Sequence, residues 1–129
     1  ALLTSTSRRP HDAAAAAIAA MRQYEIRWAS LPEPIGRRPV LLLTRTSGYP
    51  YLNKVLVVEV TSTIRGIPEE VRLGRAEGLK HPSAVNLDNV HVVPNATLGD
   101  RIGELSTDRQ REVKRALGYA LDWPELKIL

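Results

Sequence analysis

The 129-residue chain reads as a mainly β fold with an α element, a small antiparallel barrel closed by one C-terminal helix. Three observations lead there. Short β-branched and aliphatic runs alternate with turn formers from residue 24 to residue 105. Two of those runs, residues 37–44 and 55–62, flank the turn cluster Thr46-Ser47-Gly48-Tyr49-Pro50 and read as a hairpin. Beyond Ser106 the apolar residues change to helical spacing, at Val113, Ala116, Leu117, Ala120 and Leu121.

Taken in order, residues 1–20 stand apart, with Ser, Thr and Arg-Arg-Pro first and then alanines up to Ala20. This stretch lacks a core pattern and the apolar segment of a targeting peptide. It is expected to be a disordered or partly helical extension, or a start-site over-extension, because Met21 is the only methionine and directly precedes the first strand pattern. The folded domain is expected to be residues 21–129. Tyr24, Ile26 and Trp28 alternate as a first strand, ended by Leu31-Pro32-Glu33-Pro34. The hairpin follows. Residues 70–75 make a short strand with charges outward, and residues 78–83 a loop. Residues 84–93 form the next strand, with Val85 and Leu87 inward and a bulge past Asn89, where the alternation breaks. A last short strand covers residues 101–105, and Ser106 or Thr107 caps a helix reaching about Asp122.

The hairpin permits a register by arithmetic. Folding symmetrically about the Tyr49/Pro50 junction makes paired positions add up to 99, which sets Val40 opposite Glu59, Leu42 opposite Val57 and Arg38 opposite Thr61. Side chains alternate between faces. Leu41, Leu43, Leu56, Val58 and Val60 therefore make an all-apolar core face, while Arg38, Val40, Leu42, Val57, Glu59 and Thr61 share a mixed face. A cation and a hydroxyl meet at one end of it. Because both faces are partly apolar, a symmetric dimer is expected to cover one of them.

Composition narrows the function classes. Hydrophobic residues at 43% and charged residues at 25% fit a folded globular domain. There is no cysteine, which removes disulfides, thiolate chemistry and Cys-based zinc sites. His11, His81 and His91 are scattered without ligand spacing, so neither a metal nor another cofactor is expected. The longest apolar run, residues 13–21, is mostly alanine and too short to span a bilayer. No membrane association is expected, and a cytoplasmic location is the default. A net charge of +4 favours an anionic partner.

"GRRPVLLLTR", "VLVVEVTSTI", "SAVNLDNVHVV", "DRIGELS" and "EVKRALGYALDW", in this order and spacing, resemble the MazF/PemK (Kid) family of toxin ribonucleases from toxin–antitoxin modules. The resemblance runs from about Met21 to Trp123. It implies an SH3-like barrel with a C-terminal helix, a homodimer, metal-independent cleavage of single-stranded RNA to a 2′,3′-cyclic phosphate and a 5′-hydroxyl, growth inhibition through blocked translation, and neutralisation by a cognate MazE-like antitoxin. Operator DNA would be reached only through the antitoxin complex.

The resemblance also implies site residues. Such cleavage needs a proton acceptor, a proton donor and a group that stabilises charge on the phosphoryl oxygens. The arginine of the family's Arg-Pro and the threonine ending its third strand match Arg38 and Thr61, and its aspartate matches Asp88; these three are the expected catalytic residues. A guanidinium stays charged and forks onto phosphate. Arg37, Ser62, Arg65, His81 and Asn86 are the expected RNA-binding residues. Each also has a plainer reading: Arg38 as an ion pair with Glu59, Asp88 as a turn or bulge residue, His81 as a solvated loop histidine. Asn86 stands where Kid-type members carry an arginine, and Glu59 where relatives place a small or apolar residue, able to act as a base or to balance Arg38 or Arg27. Residues 32–37 make a shorter first loop than in many members, which reduces any gating. Tyr49 and Tyr51 offer base stacking or turn packing; Trp28 reads as core or dimer interface, and Trp123 as a lid on the helix. Two rival functions stay open, a gyrase-binding toxin of the similar CcdB fold and a degenerate toxin that binds without cutting.

Overall fold

The computed structural model describes residues 10–129. Strands β1 (Glu25–Ser30), β2 (Arg37–Leu42), β3 (Lys54–Thr61), β4 (Glu70–Leu73), β5 (Ser83–Pro94) and β6 (Leu98–Glu104) form one antiparallel sheet in the order β4-β5-β3-β2-β1-β6. Helices α1 (Pro10–Ala19), α2 (Thr107–Ala120) and α3 (Pro124–Lys127) complete the chain. Ser106 caps α2, its side-chain oxygen accepting from the Arg109 amide at 3.2 Å. Among the described residues, no helix is long and apolar enough to cross a membrane.

The sheet curls but is not closed by hydrogen bonds, since β4 and β6 are its two ends. The barrel's seam is made by backbone packing instead. A 3-10 turn, Arg75–Glu77, leads out of β4, and the Glu77 carbonyl lies so near Gly103 of β6 that a β-carbon there would overlap it. Gly78 approaches the Ile102 carbonyl in the same way, with a positive φ of 87°. The buried Glu77 carboxylate ties this turn to α2, accepting from the Gly74 amide at 2.6 Å and standing 3.6 Å from Arg109.

The hairpin register is the one that arithmetic gives, with Val40 opposite Glu59, Leu41 opposite Val58 and Leu42 opposite Val57. Its faces differ from expectation. Leu41, Val58 and Val60 join Ile26, Val71, Val85, Leu87 and Val113 in one cluster, but Val40, Leu42 and Val57 are equally buried in a second one with Met21, Ala29, Tyr49, Val55 and Leu98. Each such side chain contributes about 1.5–3 kcal/mol on burial, so the single chain already covers the mixed face and no dimer is needed for that. Leu56, expected in the core, lies beside the turn of the hairpin and is exposed. Leu121 and Trp123, expected against the helix, are exposed as well, because α2 ends at Ala120 and the short α3 packs back over Gly118.

Within the stretch read as an extension, residues 10–19 form α1, and Ile18 is partly buried against the second cluster. Residues 1–9 lie outside the described part. Arg27 balances Glu25 at 3.0 Å rather than Glu59. Glu25 is buried, and it also holds Arg101 at 3.1 Å and the Arg22 amide at 2.9 Å. Paired on both oxygens, it meets the condition under which a carboxylate is tolerated inside a fold.

Candidate active site

Arg38 near the start of β2 and Thr61 at the end of β3 lie past the last ladder pair, where the mixed face leaves the core. Both line two neighbouring cavities. The larger, about 710 Å³, is bounded by Trp28, Pro39, Val60, Ser62, the loop residues Leu79, Lys80 and His81, and Arg101 and Ile102 from β6. It sits over the seam between the 3-10 turn and β6. The smaller, about 280 Å³, is bounded by Glu59, Thr63, Arg65, Glu70, Asn86 and Asn89. Arg38 and Thr61 form the ridge between them.

Local structure prepares both groups. Thr61 Oγ1 accepts a hydrogen bond from the Thr63 amide at 3.1 Å. A hydroxyl has one donor and two acceptor positions, so this contact occupies a lone pair and leaves the Thr61 proton for a ligand. Arg38 is exposed and makes no hydrogen bond or ion pair among the described residues. The alternative reading of Arg38, an ion pair with Glu59, is not seen; Glu59 Oε2 stands 3.2 Å from His91 Nε2 instead, a neighbour that the sequence did not reveal for either residue, with no hydrogen bond closed between them. The loop after β3 is fixed by Glu70, whose carboxylate accepts from the Arg65 and Gly66 amides, each at 2.9 Å.

The electrostatics suit an anion. The larger cavity is lined by Arg38, Lys80, Arg101 and His81 with no carboxylate, although Arg101 shares its charge with Glu25 and Glu104. The smaller one sets Arg38 and Arg65 against Glu59 and Glu70. Among the described residues, no group of three or more His, Asp or Glu is placed to hold a metal ion.

Of the residues expected from the sequence, Arg38, Thr61, Ser62, His81, Arg65 and Asn86 meet at this groove. Asp88 and Arg37 line neither cavity. The cause for Asp88 is the β5 bulge: from Val58 to Val60 on β3, the partners on β5 run from Val90 to Val85. The extra residues swing Asp88 out to solvent, where its amide donates to Asn86 Oδ1 at 2.9 Å. Arg37 lies with its guanidinium carbon 4.0 Å from the centre of the Trp28 ring, bracing a wall of the larger cavity from outside. Trp28 is thus a groove wall rather than core. Tyr49 is fully buried, so only Tyr51, at 85% exposure, can stack on a base. Arg101 and Asn89 escaped the sequence reading, since β6 and the bulge reach the groove only through nonlocal pairing.

Residues 22–121 match the family model described as the PemK-like, MazF-like toxin of type II toxin–antitoxin systems. Endoribonuclease MazF3 of Mycobacterium tuberculosis is 41% identical over 88 residues, 67% of this chain and 85% of the relative. The probable endoribonuclease MazF5 of the same species is 42% identical over 99 residues, 76% of this chain and 90% of the relative. Among solved structures, the M. tuberculosis toxin MazF-mt6 superposes with a TM-score of 0.71 at 38% identity, over 76% of this chain and 96% of its own. A mycobacterial endoribonuclease in complex with its cognate antitoxin superposes with a TM-score of 0.72 at 27% identity, over 81% and 98%. With the fold, the groove and these matches in agreement, the chain belongs to the PemK-like, MazF-like toxin family.

Proposed function

We propose that this protein is a metal-independent, sequence-selective endoribonuclease toxin that cleaves single-stranded RNA, leaving a 2′,3′-cyclic phosphate and a 5′-hydroxyl, and so blocks translation. The observation that carries this reading is the Arg38–Thr61 ridge, a cation with no partner among the described residues and a hydroxyl with its proton free, shared by two cavities on either side. Arg38 forks onto the non-bridging oxygens of the scissile phosphate, and Thr61 donates to the same group as charge builds up. Ser62 and Lys80 on one side and Arg65 and Asn86 on the other hold the flanking nucleotides, with Arg37 at the rim and His81 facing the ridge. The relatives named as endoribonucleases support the reaction class and weigh against the gyrase-binding and degenerate readings.

A cognate MazE-like antitoxin is the proposed protein partner, supported by the neighbour solved with its own antitoxin. Operator DNA is proposed to be met only in that complex, and the cytoplasm is the proposed location. A homodimer is supported by the exposed apolar side chains Ile35 and Val92 beside a third cavity. Incubating the protein with a long RNA in EDTA and mapping both ends of each fragment tests the central reading. Defined cuts ending in cyclic phosphate and 5′-hydroxyl are expected; no cutting, or cutting only with added metal, would overturn it.

A further inference from the structure

Arg38 and Thr61 account for charge stabilisation, but transfer of the 2′-hydroxyl proton and protonation of the departing 5′-oxygen need two more groups on opposite sides of the phosphorus. We propose that Glu59 is the general base and His81 the general acid of the cleavage reaction, an assignment that rests on the nuclease reading above.

The placement is specific. Glu59 lies two residues before Thr61 on β3, on the same side of the strand and about 6.6 Å along it, and its ladder partner Val40 puts Arg38 diagonally across. It lines the smaller cavity and not the larger; His81 lines the larger and not the smaller. A phosphate on the ridge therefore has a carboxylate on one side and an imidazole on the other, as in-line displacement requires. The competing carboxylates are committed elsewhere. Glu70 spends its oxygens on the Arg65 and Gly66 amides, and Asp88 lies outside both cavities. Glu59 Oε2 stands 3.2 Å from His91 Nε2 without closing a hydrogen bond, and neither Glu59 oxygen accepts one among the described residues.

The step balances without a further reactant. Glu59 takes the proton from the 2′-hydroxyl as the O2′–P bond forms. The P–O5′ bond then breaks, and His81, as imidazolium, gives its proton to O5′. The products are the cyclic phosphate and a 5′-hydroxyl. Protonated Glu59 and neutral His81 exchange a proton with water to restore the starting state.

The test uses the full chain, a short RNA containing one mapped cut site, and the same RNA with sulfur in place of the 5′-bridging oxygen, a leaving group that needs no proton. Glu59→Gln is expected to lower kcat on the order of 10²-fold or more with both substrates. His81→Gln is expected to lower it similarly with the oxygen substrate and to come within a few-fold of wild type with the sulfur substrate. Binding of the uncleavable 2′-deoxy analogue by both variants should stay within a few-fold of wild type, which separates proton transfer from loss of fold or affinity. Near wild-type cleavage by Glu59→Gln, or no sulfur rescue of His81→Gln, would overturn the assignment. Failure of the wild-type protein to cut the RNA would instead remove the nuclease reading, and the assignment with it.

Discussion

The backbone carbonyl of Glu77 occupies the space that a side chain on Gly103 would need. This contact, rather than a ladder between β4 and β6, closes the curled sheet beside Gly78 and Ile102, which line the larger cavity. Backbone cannot yield as a flexible side chain can, so Gly103→Ala should push the turn off β6 and cost about 1–3 kcal/mol, the usual range for overpacking. Gly99 on the same strand is the control, because its nearest neighbour to a new β-carbon, the Trp28 carbonyl, would lie at an ordinary 3.6 Å. Urea unfolding should show Gly99→Ala close to wild type and Gly103→Ala clearly weaker. Equal midpoints would show that the seam bears no strain.

What the sequence made legible and what it hid divide along contact range. The Val40–Glu59 register follows from one local turn and two runs of matched length, and it holds residue for residue. Burial of the mixed face was not legible, because Val40 and Val57 share their cluster with Met21 and Leu98, which lie outside the hairpin, and with Tyr49, whose inward packing the turn sequence leaves open. The bulge was visible as broken alternation near Asn89, but its size was not, and its size decides that Asp88 points away from the ridge. Resemblance singled out Arg38 and Thr61, which the structure brings together at the groove. It could not foresee the Glu59–His91 pair, for which this chain departs from the family pattern.

The boundary at Met21 gives a stability prediction. Met21 itself is buried in the second cluster, while α1 adds the partly buried Ile18 to it. A chain beginning at Met21 should fold cooperatively and lose only about 1 kcal/mol, the share of a half-buried aliphatic side chain. Met21→Ala in the full chain should cost more, about 2–5 kcal/mol. Chemical denaturation of the three proteins checks this order; a truncation costing more than Met21→Ala would make α1 an integral part of the domain.

Tyr49 makes the fold sensitive to alkali. Burial, and next the Glu25 charge, raise its phenol well above the ordinary 10.0. Its hydroxyl, beside Thr44, closes no well-formed hydrogen bond. The unfolded chain releases this proton near its ordinary value while the folded chain keeps it, so above about pH 10 the unfolded state binds fewer protons and stability falls with rising pH, by up to about 1.4 kcal/mol per pH unit for one proton. Tyr24, also raised by burial, acts in the same direction. Tyr49→Phe should leave neutral-pH stability nearly unchanged, since no well-formed hydrogen bond is lost, and should flatten the decline between pH 10 and 11.5. Thermal melts across that range test it, and an unchanged slope would show that the Tyr49 proton is not linked to folding.

Arg38 and Thr61 should act as one unit. Arg38 is exposed and bonded to nothing described, so Arg38→Ala should keep the wild-type melting temperature and antitoxin binding while RNA cleavage falls on the order of 10²-fold or more, as when one preorganised donor is lost. Arg38→Lys should recover little of it, because an ammonium supplies charge without the two parallel donors that fit a phosphate. Thr61→Ala removes a hydroxyl whose proton the Thr63 contact leaves free, and should also slow cleavage. If both groups grip one phosphate, losing the first disorders what the second holds, and the double substitution should cost clearly less than the two single costs combined. Asp88→Ala, on the solvent side of the bulge, should cut at close to the wild-type rate. Single-turnover cleavage of one RNA by all five variants decides the matter. Strict additivity of Arg38→Ala and Thr61→Ala would place them on separate groups, and near wild-type cutting by Arg38→Ala would remove the ridge from the chemistry.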